Sequence, residues 1–99
     1  MKQFFFLKLN PPRPSFALDM SPSEREVMLA HVAYWAPHVE KGTVVVLGPV
    51  MDSAGPYGMA VLAVDDPSEV QALIAADPAN GLNRYEVFTM RAKTKMYPG

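Results

Sequence analysis

Two side chains of the 99-residue chain, His31 and Asp77, are of types that exchange protons in a sheltered place. His31 stands between Val27 and Trp35 at helical spacing, on the stripe a helix turns toward a core, where an imidazole is partly desolvated. It is either a core histidine satisfied by one partner or an acid–base group. Asp77 comes seven residues after Val70 and four after Leu73, at the last turn of a second helical stretch. A carboxylate there opposes the helix dipole and needs compensation. It either starts the Asp77-Pro78 turn or pairs with His31, fixing the tautomer of the imidazole and favouring its charged form.

Weaker candidates surround this pair. Arg13, in a proline-stiffened stretch, offers a planar fork for an anionic substrate group, or is merely solvated. Tyr34 and Trp35 could line an apolar pocket or be ordinary core. Gly48-Pro49 closes a β-branched run; the glycine either admits close approach of a ligand or simply ends a strand. His38 follows His31 by seven residues, but no third ligand at metal spacing accompanies the two, so no metal site is expected. There is no phosphate-cradling loop, nucleophile elbow or dinucleotide fingerprint, and hence no cofactor is expected.

Composition narrows the field further. With 49% hydrophobic and 19% charged residues the chain has the material for one core, and a single domain over 1–99 is expected. Nine basic against ten acidic residues leave a charge of −1, which disfavours nucleic-acid binding. The absence of cysteine excludes disulfides, thiolate zinc cages and a thiol nucleophile. The apolar start Phe4-Phe5-Phe6-Leu7 is short and interrupted by Lys8, so it reads as a strand rather than a secretory signal. No stretch approaches the roughly 18 apolar residues of a membrane span. A cytoplasmic protein with no membrane partner is expected.

The elements that must position His31 and Asp77 follow from local chemistry. Lys2–Asn10 is a predicted strand, stopped by Pro11, Pro12 and Pro14. The connection Pro11–Met20 is long, of the kind that is functional or mobile. Ser21, Pro22 and Glu24 form a capping box with proline at the first helical position. That helix is predicted to run to about Val39, with Val27, Met28, Val32, Trp35 and Val39 on its apolar stripe, Pro37 disturbing its last turn and Gly42 ending it. Thr43–Val50 and Gly58–Val64 are strands joined by a turn over 52–56, a hairpin. Asp66, Pro67 and Glu69 repeat the helix-start chemistry, and Val70, Leu73 and Ile74 face inward. Arg84–Met90 is the fourth strand, and a polar tail over 93–99 is expected to fray.

Strand, helix, strand, strand, helix, strand is the order of the ferredoxin-like α+β fold, a βαββαβ antiparallel sheet with two helices on one face. The strands carry apolar residues on both faces, so the face without helices needs a cover. A homodimer with sheets packed face to face supplies it.

His31-Val32-Ala33-Tyr34-Trp35, Gly42, the strand ending Gly48-Pro49, the Gly58 strand and Asp77-Pro78, in this order and spacing, resemble the YciI-like (YCII-related) family over nearly the whole chain. The resemblance implies a ferredoxin-like fold assembled as a dimeric α/β barrel, with His31 and Asp77 lining an active-site pocket. The family is similar to muconolactone isomerases and chloromuconolactone dehalogenases, which act on small cyclic acids. The Pro11–Met20 connection is longer and richer in proline than is usual there, and Ala79 stands where an aromatic is common.

Three functions compete at this point. The leading one is an isomerase or lyase acting on a small organic acid, with His31 as general acid or base, Asp77 orienting it, Arg13 holding a substrate carboxylate, and Tyr34, Trp35, Gly48 and Pro49 shaping the pocket. The second is a non-catalytic ligand-binding or regulatory module on the same dimeric fold. The third is a cofactor-independent monooxygenase, for which architecture alone is a weak argument.

Overall fold

A computed structural model describes residues 1–97 of the chain. Its elements are β1 (Gln3–Asn10), α1 (Phe16–Asp19), α2 (Pro22–Glu40), β2 (Val44–Val50), β3 (Tyr57–Val64), α3 (Ser68–Ala76) and β4 (Arg84–Met90). The four strands form one antiparallel sheet in the order β2-β3-β1-β4, which with α2 and α3 makes the expected ferredoxin-like α+β arrangement.

Register assigns the two faces. Phe5 lies opposite Leu62 and Thr89, Leu7 opposite Ala60 and Val87, and Leu9 opposite Gly58 and Tyr85, so these share one side of the pleat. On that side Phe5, Leu7, Trp35, Val44, Leu62, Val64, Val70 and Ile74 make the core, with α2 and α3 packed over it. The other side carries Phe4, Phe6, Val46, Val61, Phe88 and Met90, of which Val46, Phe88 and Met90 are exposed. No helix among the described residues covers them.

The helix starts follow the expected chemistry. The Ser21 hydroxyl accepts from the Glu24 N–H at 3.2 Å while the Glu24 carboxylate accepts from the Ser21 N–H at 2.8 Å, closing the capping box. Before α3, Asp66 accepts from the Ser68 N–H and Glu69 accepts from the Asp65 and Asp66 N–H groups. Pro37 sits inside α2 without ending it, and Gly42, at φ +81°, receives the chain where the helix stops.

Three local expectations change. The Pro11–Met20 connection contains a third, one-turn helix, α1, because Phe16 finds a buried site and Ser15 and Asp19 bond across the turn at 2.6 Å. Val39 turns outward and Val32 sits at the edge of the inward stripe of α2; they are 42% and 64% exposed. The inward positions are Val27, Met28, His31, Tyr34, Trp35 and His38, the three- and four-residue register that runs from Val27. In the tail, the Tyr97 N–H donates to Thr94 and the Tyr97 ring meets Phe4 edge-on at 5.2 Å, so apolar contact turns the chain back. Residues 98 and 99 of the expected frayed segment lie outside the described residues.

Candidate active site

The site is built where α3 ends. Pro78 disfavours helical backbone at the residue before it, and Asp77 accordingly turns to φ −69°, ψ 123° as the C-cap of α3. That turn aims its carboxylate inward, beneath α2. Four donors meet it. The Ala79 N–H donates to Oδ1 at 2.9 Å, the indole Nε1 of Trp35 donates to Oδ2 at 3.0 Å, and the Tyr85 hydroxyl donates to Oδ2. Nδ1 of His31 lies 3.0 Å from Oδ1 and 2.9 Å from Oδ2. The turn and the pairing, alternatives in the sequence, therefore coexist on one carboxylate.

These bonds decide its charge. Burial alone would raise the Asp77 pKa, but the bonds from His31, Tyr85, Trp35 and the Ala79 N–H outweigh it and bring the group down to about 2. Tyr85 moves the other way: burial and then the bond to Asp77 raise it, so it stays a neutral phenol. With Asp77 ionised at neutral pH, the His31 nitrogen facing it carries a proton, which leaves Nε2 as the other working atom. Every buried side-chain nitrogen and oxygen among the described residues has a hydrogen-bond partner, and Nε2 has none, so Nε2 reaches open space. The His31 side chain is 14% exposed and that of Asp77 is 0% exposed, so the imidazole stands in front of its carboxylate.

His31 also lines a cavity of about 270 Å³ between α2 and the sheet. Leu7, Leu9 and Ala60 form its floor, and Met28, His31, Val32 and Trp35 of α2 form one wall. Leu47, Gly48 and Pro49 with Pro56 to Met59 bring in the hairpin end, and Phe16, Ala17 and Met20 roof it from the 11–20 segment. The hairpin turn and the roof touch: a side chain at Gly55, which has φ +137°, would meet the Pro14 carbonyl at 2.8 Å.

The candidates named from sequence divide clearly. His31, Trp35, Gly48 and Pro49 line the cavity, and Asp77 backs it through His31. Tyr34 does not line it; its hydroxyl donates to the Leu73 carbonyl at 2.7 Å and its ring packs on the core. Nor does Arg13 bring its fork to a substrate. Its guanidinium donates to Asp19 Oδ1, the Asp19 carbonyl and both oxygens of Glu24, all at 2.8 to 2.9 Å, because the strap it sits in lies against the start of α2. Gly48 leaves room, since a Cβ there would meet nothing within 4 Å. His38 packs against the rings of Tyr34 and Trp35, and among the described residues no group of three His, Asp or Glu is placed to hold a metal.

Among the lining residues not named as candidates from sequence, Tyr85 and Asn83 are polar and turned toward the site. Tyr85 shares the inward face of β4 with Val87 and Thr89, so period-two alternation from β1 could have found it. Asn83 is 4% exposed and donates to the Met28 sulfur at 3.3 Å; its place depends on the loop after Asp77, and no local pattern announces it.

Comparison with known proteins agrees with this architecture. Seven chains of solved structures match. One is 5-chloro-2-hydroxyhydroquinone dehydrochlorinase from Burkholderia phenoliruptrix AC1100, in complex with 2,5-dihydroxybenzoquinone. It matches with a TM-score of 0.61 and 20% identity, covering 96% of this chain and 99% of that one. At that identity the likeness is one of fold. No curated protein matches the chain significantly. Residues 4–91, from β1 to just past β4, match the YCII-related domain, and the chain belongs to the YCII-related family.

Proposed function

We propose that the chain is a small-molecule enzyme of the isomerase or lyase kind in which His31 is the general acid–base and Asp77 its positioning residue. The observation that carries this is the His31 ring itself: Nδ1 held by an ionised, buried carboxylate and Nε2 free at the wall of a cavity. In the neutral ring the Nε2 lone pair takes a proton from a substrate C–H or O–H. The bonding electrons then either expel a leaving group from the neighbouring carbon, a lyase step, or form a new double bond, after which Nε2 returns the proton at another atom, an isomerase step. Asp77 stays ionised and steadies the imidazolium. Neither outcome consumes an oxidant or other co-reactant. Family membership and the likeness in fold to a dehydrochlorinase support this class of chemistry.

The uncovered apolar face of the sheet extends the proposal to assembly. Phe6 and Phe88, with ring centroids 6.1 Å apart, and Val46, Val61 and Met90 beside them would be buried in a homodimer packed sheet to sheet.

The test is a screen of halogenated hydroxyquinols and enolisable cyclic ketones in heavy water, read by NMR for halide release or C–H exchange. Activity in the parent chain that falls by about 10²-fold or more in His31→Gln is the expected result. Activity unchanged in both His31→Gln and Asp77→Asn would reject the assignment.

A further inference from the structure

The charge of the molecule this cavity accepts can be read from its walls. Among the described residues no Lys or Arg lines it, and neither does any Asp or Glu. The side chains turned toward it are aliphatic, aromatic or thioether, apart from His31, Asn83 and the phenol of Tyr85. Of these, the Tyr85 hydroxyl is committed to Asp77. Directly behind the His31 ring stands the Asp77 carboxylate, and it is negative.

Arg13 is the cation sequence reasoning would assign to an anionic substrate, and the structure turns it elsewhere. Its guanidinium lies over the Phe16 ring at 5.3 Å and is shared between two carboxylates. Phe16 supplies part of the roof, so the cation is paired and screened from the cavity by the ring. A carboxylate or phosphate entering while the His31 ring is neutral would shed its hydration, meet no cation and face a buried anion behind that ring. A neutral ligand meets none of these costs. Asn83 can serve a neutral polar edge, because the partner of its amide is the thioether of Met28, a weak acceptor that a ligand oxygen can replace.

Size sets a second limit. A dry cavity of about 150 Å³ admits benzene, and this one holds about 270 Å³. That is room for one substituted ring or a small bicycle. Met20 and Met28 give it walls that adjust to ring shape.

We propose that the cavity selects an uncharged, mainly apolar molecule of about one ring and turns away anions, the selection being made by walls without a cation in front of the Asp77 carboxylate. This rests on the acid–base reading of the same site and narrows its substrates to neutral carbonyl, hydroxyl or halogenated ring compounds rather than organic acids.

The experiment uses two near-isosteric pairs, benzamide with benzoate and phenylacetamide with phenylacetate, titrated into the full chain near neutral pH. The reporter is the indole N–H resonance of Trp35, the one tryptophan of the chain, which borders the cavity. Each amide is expected to bind at least about tenfold more tightly than its carboxylate. Val32→Arg places a cation on the wall without touching His31 or Asp77, and should bring each carboxylate to within about threefold of its amide. Carboxylates that bind the parent chain as well as or better than the amides would overturn the proposal. So would amides that leave Trp35 unmoved at about 10 mM. In His31→Gln the preference for the amides should persist although turnover is lost. A parent chain that turns its substrate over yet shows no preference for the amides therefore refutes the neutral selection alone, and a His31→Gln variant that keeps both turnover and the preference refutes the acid–base role alone.

Discussion

Asp77 accepts from four donors and keeps no lone pair for a substrate, so its work passes entirely through His31. Asp77→Asn replaces one acceptor oxygen with a donor in front of Trp35, Tyr85 and His31. Stability should fall by about 1–3 kcal/mol and turnover by about 10²–10⁴-fold. The loss should fall on kcat with KM little changed, whereas a merely structural role would lower only the folded fraction. Acid stability gives an independent reading. The ordinary carboxyl value of 3.8 falls to about 2 in the fold, so the contribution is complete above 3.8 and disappears as pH drops through about 2. For a side chain with no exposed surface this amounts to about 2 kcal/mol. Urea unfolding at pH 5 and at pH 2 should show it. In Tyr85→Phe, which removes one of the bonds holding the value down, the loss between the two pH values should shrink.

At the scale of elements the 11–20 segment is the distinctive part. Arg13 ties α1 to the start of α2, and its bonds to Glu24 hold that carboxyl down to about 2. The clasp is therefore intact above the ordinary glutamate range and opens as pH falls toward 2. Arg13→Ala should speed amide exchange over 13–19 by about tenfold or more while leaving exchange in the sheet unchanged, since exposed ion pairs order a segment more than they stabilise a fold. Gly55→Ala tests the seam between strap and hairpin. Its positive φ and the approach to Pro14 at 2.8 Å should cost about 1–3 kcal/mol, measured as a fall in unfolding free energy. Sequence reasoning reads well where the cause is local. Ser21 with Glu24, Asp66 with Glu69, and the prolines after Asn10 each act within a few residues, and every main strand and helix falls within two residues of its expected span. His31 and Asp77 were legible because each sits on an inward helical register. Arg13 was not, because a guanidinium with two acidic partners six and eleven residues away looks the same in sequence as one that is free for a ligand. Tyr85 and Asn83 depend on which strand lies beside β1 and on how the loop after Asp77 folds, both decided by long-range packing.

For the whole molecule the sheet poses the remaining question. Its helix side carries α2, α3 and the cavity, and its other side presents Phe6, Val46, Val61, Phe88 and Met90 with no helix or strand above them among the described residues. Burying such a surface against a second copy is the economical solution for a chain of this size. Sedimentation at micromolar concentration should give a dimer, and Phe88→Asp, placing a charge beside Phe6, should give a monomer. Whatever the assembly, the proposed function turns on one ring. Long-range proton–nitrogen NMR on His31, above the pH at which its resonances stop titrating, reads the tautomer directly. The proton should sit on Nδ1 toward Asp77, with Nε2 unprotonated and facing the cavity; a proton found on Nε2 instead would contradict the central claim.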